Sequence, residues 1–383
     1  MTRILPVGNG DMLANFDMDY NLRDIYYPHA GGENHGSLSR FGIYIDNKFS
    51  WLSEPCWRKH LDYESLTLVT LVEAEDPGLE LRILSQDMVD VGRPVYLKKV
   101  VFQNQSNRPR ELRAFFHCNL NISGYHMGNT IYYAPALRGL IQYRGRIYFL
   151  LNGSAGGESG LHDFATGIKG RNGAKGTWCD AEDGKLSRNA TSHGDVDGVG
   201  ALSVELPPGG EAVTYWWVVA GQNYKEVAEL NQMISIRTPE SFLERTKTYW
   251  RTWVSKNNDD EFGDLDEQLV ELYKRSLLVL RTNPDNQGGI LAANDSEITA
   301  YNDDSYSYVW PRDGALAAIA SSNAGFHTQA QKFFHFCADA LAEEGFLFHR
   351  YNPDGSLGSS WHTWIDSDGN DLLPIQEDET ALV

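Results

Sequence analysis

From the N-terminus to about residue 222, apolar and polar positions alternate in short runs separated by turn residues. Residues 41–52 predict a hairpin turning at Asp46-Asn47. Residues 66–73 and 79–84 flank Asp76-Pro77-Gly78. That tripeptide turns because Pro presets φ and Gly tolerates positive φ. The alternation continues through 96–102, 111–120, 140–143 and 146–150. Residues 201–206 and 212–219 are joined by Pro207-Pro208-Gly209-Gly210. Many short strands with regular turns predict a β-sandwich rather than βαβ units. The span 152–198, rich in Gly, Ser, Asp and Asn, reads as long loops.

The period then becomes helical. Residues 224–234 predict a short helix. Thr238 reads as the N-cap of a second, with Pro239 at its first position. Phe242, Tyr249, Trp250 and Trp253 share one face of it, as expected of a linker helix held against an apolar surface. Residues 257–260 are a polar break. Leu265, Leu269, Leu272, Leu277 and Leu280 form the apolar stripe of a third helix ending near Asn283-Pro284. Another runs from Arg312-Asp313 to Gly325, and one over 328–344 presents Phe333, Phe336, Cys337 and Ala340. A last helix starts near Glu377. Helices of similar length joined by long loops suggest an α/α toroid. The expected organisation is a β-sandwich over 1–222, a helical linker over 223–260 and a helical domain over 261–383.

Composition narrows the function. The 383 residues allow two or three domains with a sizeable core. The net charge of −19, with no Lys/Arg block, argues against nucleic acid or an anionic membrane surface as a partner. It suits a neutral substrate. Cys56, Cys118, Cys179 and Cys337 show no metal-binding spacing and read as buried free thiols. The N-terminus has no apolar signal-like core, and no apolar run is long enough to span a bilayer, so a cytoplasmic location is expected. No cofactor and no metal are expected. His29, Glu33 and His35 offer ligating atoms, but their spacing fits no common zinc pattern. They read instead as part of a hydrogen-bonded loop leaning toward the pocket.

Candidate chemistry concentrates in two segments. In the first, Tyr306, Tyr308 and Trp310 alternate along one face and lead into Pro311-Arg312-Asp313. One reading makes Asp313 a favourable charge at a helix start and Arg312 a surface ion-pair partner. The other makes the pair a clamp for vicinal hydroxyls, one accepting and one donating, beside aromatic stacking surfaces. The second segment, Leu373-Pro374-Ile375-Gln376-Glu377-Asp378-Glu379-Thr380, places acids at a helix start, which the macrodipole alone would favour. Its apolar approach would bury those polar groups, at a cost that a purpose would have to offset. The loop 345–364 reads as a hairpin of packed aromatics, with Trp361 alone assigned to the pocket.

These residues resemble glycoside hydrolase family 15, the glucoamylase and glucodextranase group. The resemblance rests on Leu5-Pro-Val-Gly-Asn-Gly10, Asn21-Leu-Arg-Asp-Ile-Tyr-Tyr-Pro28, Gly288-Gly-Ile-Leu-Ala-Ala293, Tyr308-Val-Trp-Pro-Arg-Asp313 and Leu373-Pro-Ile-Gln-Glu-Asp-Glu-Thr-Ala-Leu382. It implies an N-terminal β-super-sandwich followed by the first part of an (α/α)6 barrel. It also implies a terminal glucosyl unit held by Tyr306, Tyr308, Trp310, Arg312, Asp313, Trp361, Gln376, Asp378 and Glu379. Family members hydrolyse α-glucosidic bonds with inversion, using a general acid and a general base. Both lie later in the family's barrel than the Gln-Glu-Asp-Glu-Thr segment. The resemblance therefore implies a truncated, inactive fragment of an exo-acting α-glucosidase, without either catalytic carboxylate. The expected partner is an α-glucan or α-linked glucosyl oligosaccharide. Starch-like glucan, isomaltose-type glucan and trehalose stay open as substrates. A non-catalytic carbohydrate-binding protein is the alternative. A disaccharide phosphorylase ranks last, for want of a visible phosphate cradle.

Overall fold

The computed structural model describes residues 3–171, 173–256, 262–294, 306–360 and 364–383. Two antiparallel sheets face each other. The larger runs, in hydrogen-bonded order, Thr191–Gly194, Asn129–Ala134, Gly139–Arg144, Ile147–Ala155, Glu211–Gly221, Val95–Asn104, Leu81–Val89, Thr70–Asp76 and Arg58–Tyr63. The smaller runs Asp163–Ile168, Val196–Leu206, Arg110–Cys118, Arg40–Ile45 and Lys48–Trp51. The predicted hairpin closes with Ile45 opposite Lys48, and Asp46 and Asn47 take φ of 52° and 59°. Two successive positive φ values match the right-handed twist of the strands they join. At Asp76-Pro77-Gly78 the turn forms, but the positive φ falls on Glu80, at 48°, and not on Gly78. The Asp76 side chain accepts from the Gly78 N–H at 2.8 Å and sets the turn without it.

Side-chain alternation divides the larger sheet between two cores. Along Glu211–Gly221, Trp216, Val218 and Ala220 pack toward the smaller sheet with Phe41, Ile43, Phe102 and Phe116. Trp217 and Val219 point to the opposite face. There they meet helix α1 (Tyr224–Arg237) and helix α2 (Pro239–Val254) through Val227, Ile234, Phe242 and Leu243. Asn231 of α1 accepts from Trp217 Nε1 at 2.9 Å and from Asn152 Nδ2 at 3.0 Å, which fixes the helix on the sheet. Thr238 accepts from the Ser241 N–H, so the start of α2 is capped as its sequence predicts.

The sandwich core also holds charge. Lys98 Nζ lies 2.9 Å from Asp87 Oδ1 and donates to Tyr20 Oη at 2.6 Å. Tyr96 and Thr70 hydroxyls donate to the same carboxylate at 2.6 and 2.9 Å. Burial pushes the Lys98 ammonium below its usual value, with Asp87 opposing. Tyr20 lies between the second and third strands of a small sheet of Val7–Gly8, Leu13–Phe16 and Leu22–Tyr26, which the network ties to the sandwich. That small sheet serves two cores. Ala14, Phe16 and Ile25 pack into the sandwich, while Leu13 and Tyr26 pack into the helical region.

The helical region contains α3 (Glu267–Leu280), α4 (Pro311–Asn323), α5 (His327–Ala340) and a short α6 (Glu377–Ala381). Gly314 of α4 sits where an added Cβ would lie 2.3 Å from the Phe333 ring, so only glycine lets α4 and α5 approach so closely. None of the described helices is long and apolar enough to cross a membrane.

Four expectations change. Cys118 and Cys337 are buried, but Cys56 is exposed and Cys179 half-buried, because they stand in surface segments outside the sheets. The span 152–198 is not simply loop. Asp163–Ile168 pairs with Val196–Leu206, and a 3-10 segment, Thr177–Asp183, lies against the outer face of the smaller sheet through Ala181. The stripe of α3 is buried only at its C-terminal end, where Leu277 and Leu278 pack. Leu265, Leu269 and Leu272 are 58%, 54% and 63% exposed. Helix α5 stops at Ala340, because Leu341 is extended. The polar break at 257–260 lies outside the described residues.

Candidate functional site

The site grows from the start of α4. An isolated bridge pairs Val309 with Tyr351, and Pro311 at the first helical position begins α4 directly after Trp310. This turn from extended chain to helix brings Arg312 and Asp313 beside the aromatic run. Tyr306, Trp310, Arg312, Asp313 and Gln376, with Ala292 and Ala293, line a cavity of about 390 Å³.

Trp310 is 3% exposed and forms the packed floor. The Tyr306 and Tyr308 rings meet it edge-on at centroid distances of 5.4 and 6.4 Å. Its Nε1–H donates to His349 Nε2 at 3.0 Å, and His349 Nδ1 lies 3.1 Å from Ser360 Oγ. The acceptor role of Nε2 sets the neutral Nδ1–H tautomer, which donates to the serine. The Arg350 guanidinium stacks over Tyr308 at 4.5 Å and over Trp310 at 5.2 Å.

Arg312 is held by the segment that the sequence paired with it. Its Nη1 donates to Asp378 Oδ2 at 2.8 Å and to Gln376 Oε1 at 3.3 Å. Its Nη2 donates to Asp313 Oδ2 at 3.0 Å. These carboxylates raise the guanidinium pKa, Asp378 first, and Arg312 in turn holds Asp378 below the usual carboxylate range. Glu379 stands behind the pair, fully buried. Its Oε2 accepts from the Arg312 backbone N–H at 2.6 Å, and its Oε1 lies 3.3 Å from Arg312 Nη1. No side chain of the local sequence caps α4, so Glu379 satisfies one of its orphan N–H groups from across the fold. Burial pushes the Glu379 carboxyl up to about 7. Thr380 Oγ1 accepts from the Leu347 N–H at 2.9 Å and anchors α6.

The structure therefore places Tyr306, Trp310, Arg312, Asp313 and Gln376 on one wall. Tyr308 packs between Trp310 and Arg350. Asp378 and Glu379 grip Arg312, with Glu379 away from the cavity surface. Trp361 lies outside the described residues. Sequence reasoning passed over His349 and Arg350. They stand in the aromatic loop, and their bonds to the floor follow from a fold-back that no local spacing announces. The loop near His29 does reach the helical region: Asp285 accepts from the Ala30 N–H at 3.0 Å and lies 3.2 Å from His29 Nδ1, and the Gly32 N–H donates to Ser307 O at 2.7 Å. Among the described residues, no group of His, Cys, Asp and Glu is arranged to hold a metal ion.

An aromatic floor, a tethered guanidinium and the carboxylate and amide groups that it orients around one cavity form a binding surface suited to a polyhydroxylated ligand. The fold is similar to that of a bacterial glucoamylase complexed with acarbose, with a TM-score of 0.74 and 17% identity over 91% of this chain and 51% of that one. The chain thus spans about half the length of that structure. A putative kojibiose phosphorylase from the human microbiome aligns at a TM-score of 0.39, with 8% identity over 66% of this chain and 36% of that one. A family 92 glycosyl hydrolase aligns at 0.40, with 11% identity over 74% of this chain and 39% of that one. Both are too distant to carry an argument. No protein-family model and no curated protein sequence matches the chain.

Proposed function

We propose that this chain carries the terminal-glucosyl subsite of a glucoamylase-type, inverting, exo-acting α-glucosidase, and that its helical region is the first part of an (α/α)6 barrel. The observation that carries the reading is the Arg312–Asp313 pair at the rim of an aromatic-floored cavity, with Arg312 immobilised by Gln376, Asp378 and Glu379. A guanidinium fixed in this way presents its remaining N–H donors without losing rotamer entropy on binding. Asp313, beside it, accepts from a sugar hydroxyl, and the Trp310 floor supplies an apolar surface for the ring.

Inverting hydrolysis needs a general acid and a general base about 6.5–9.5 Å apart, flanking the scissile bond. The resemblance assigns both to positions after the Gln376–Thr380 segment. The residues here then bind and orient the glucosyl unit, while the hydrolytic carboxylates are supplied from elsewhere in the enzyme. The test is calorimetry with acarbose, run beside glucose-release assays on maltose, isomaltose and trehalose. Acarbose binding without glucose release is the expected result. Absence of any binding would defeat the subsite reading. Turnover abolished by Asp313→Asn would place the chemistry on these residues instead.

A further inference from the structure

A second cavity, of about 290 Å³, opens at the other end of α4. Tyr249, Trp253 and Lys256 line it from α2 and the residues just after, Arg281 and Asp285 from the end of α3 and the loop beyond, and Phe326 and Lys332 from the start of α5. Helix α4 has 13 residues. At about 1.5 Å per residue it separates this cavity from the candidate sugar site by roughly 20 Å.

Three cations converge on it in a chain whose net charge is −19. Among the described residues, none of the three forms an ion pair. Lys256 Nζ donates to Gly325 O at 3.1 Å, and Lys332 Nζ to Asn286 O at 3.1 Å. The Arg281 guanidinium donates to Pro284 O at 3.3 Å and Asn9 O at 3.4 Å. Burial pushes Arg281 below its usual value, with Tyr249, Asp11 and Asp285 opposing from nearby. One acid, Asp285, lines the cavity, and both its oxygens are engaged. Oδ2 meets the Ala30 N–H and His29, and Oδ1 meets the Gln287 N–H at 2.8 Å. The wall is also aromatic: Trp253 and Phe326 stack at 4.1 Å with their planes 20° apart. Helix α5 begins here without a side-chain cap, and Thr328 and Gln329 of its first turn lie in the wall. The positive end of its macrodipole adds to the positive field.

We propose that this junction cavity binds a phosphomonoester: an anionic phosphate among Lys256, Arg281 and Lys332, with an organic body against Trp253 and Phe326. Two lysines and a guanidinium fork suit a phosphate group, which carries most of two charges and several acceptor oxygens. At about 30 Å³ per water, the cavity holds roughly ten, which is more room than a phosphate alone needs. The site joins α2, α3 and α5, so its occupant would brace the helical region against the sandwich-bound linker. No reacting atom of the candidate sugar site is within reach, so the anion acts as a bound effector and not as a nucleophile.

Calorimetry at low salt with inorganic phosphate, glucose 6-phosphate and adenosine monophosphate tests this. At least one of the two monoesters should bind more tightly than inorganic phosphate, and which one does identifies the organic body. Lys256 and Lys332 are both exposed, so Lys256→Gln/Lys332→Gln should fold. In that variant the affinity should fall by about tenfold or more. Excess acarbose should leave the anion bound. The proposal is overturned if none of the three probes binds, if the double variant binds as the parent does, or if acarbose displaces the anion.

Discussion

The backbone N–H of Arg312 donates to Glu379 Oε2 at 2.6 Å across 67 residues of sequence. One buried carboxylate thereby caps α4 and stands beside the guanidinium that faces the cavity. The two sequence segments rich in aromatic and charged groups are therefore a single mechanical unit, in which α6 holds the start of α4 in place.

Because Glu379 is raised from an ordinary 4.5 to about 7, its folded form keeps a proton that the unfolded chain releases. The stability this confers is complete below about pH 4.5 and is lost as pH rises through about 7. Glu379→Gln keeps an acceptor for Arg312 and removes the titration. Its melting temperature relative to the parent should therefore climb between about pH 5 and about pH 8. A pH-independent difference between the two proteins would mean that Glu379 titrates normally.

Arg312→Lys keeps the charge but loses the fork that meets Gln376, Asp378 and Asp313 at once. A ligand hydroxyl that loses its charge-assisted bond to the guanidinium loses about 1.5–3 kcal/mol, so acarbose affinity should drop roughly ten- to a hundredfold. The unfolding midpoint should fall as well, because the fork also ties α6 to the start of α4. Calorimetry beside a thermal melt separates the two effects, and unchanged affinity would remove Arg312 from the binding surface.

Asp313→Asn should likewise weaken binding about tenfold or more while the fold survives, since the residue is partly exposed at the first turn of α4. Near-normal affinity in this variant would reduce Asp313 to a favourable helix-start charge.

In the sandwich, Asp87→Asn leaves Lys98 buried beside a neutral partner. The expected cost is about 3–5 kcal/mol in urea unfolding at constant m value. Replacing both, Asp87→Leu with Lys98→Met, should recover only part of that loss, because it removes the charges but leaves the buried Tyr96 and Thr70 hydroxyls without their acceptor. A single variant as stable as the parent would show that the ion pair contributes little.

Leu269 and Leu272 are exposed on α3. Leu269→Glu and Leu272→Glu should each change stability by no more than about 0.5 kcal/mol. Together they should reduce self-association in sedimentation velocity, because they break up an apolar patch. A destabilisation of several kcal/mol would mean that this face is packed in solution.

The sequence alone determined what depends on near neighbours. The Asp46-Asn47 turn, the Thr238-Pro239 helix start and the alternation that splits Trp216 from Trp217 are local geometry, fixed by φ preferences and by side-chain period. The two charged segments were also visible, because they combine residue types that are costly to bury without a use. Only tertiary structure decided what each group touches. Asp378 and Glu379 are adjacent in sequence, yet a helix turns them to different sides, so one is half-exposed on Arg312 and the other is sealed behind it. Asp163–Ile168, poor in apolar pattern, becomes a strand because Val196–Leu206 offers it an open edge. Lys256, Arg281 and Lys332 gather only because α2, α3 and α5 meet, and no spacing along the chain encodes that meeting.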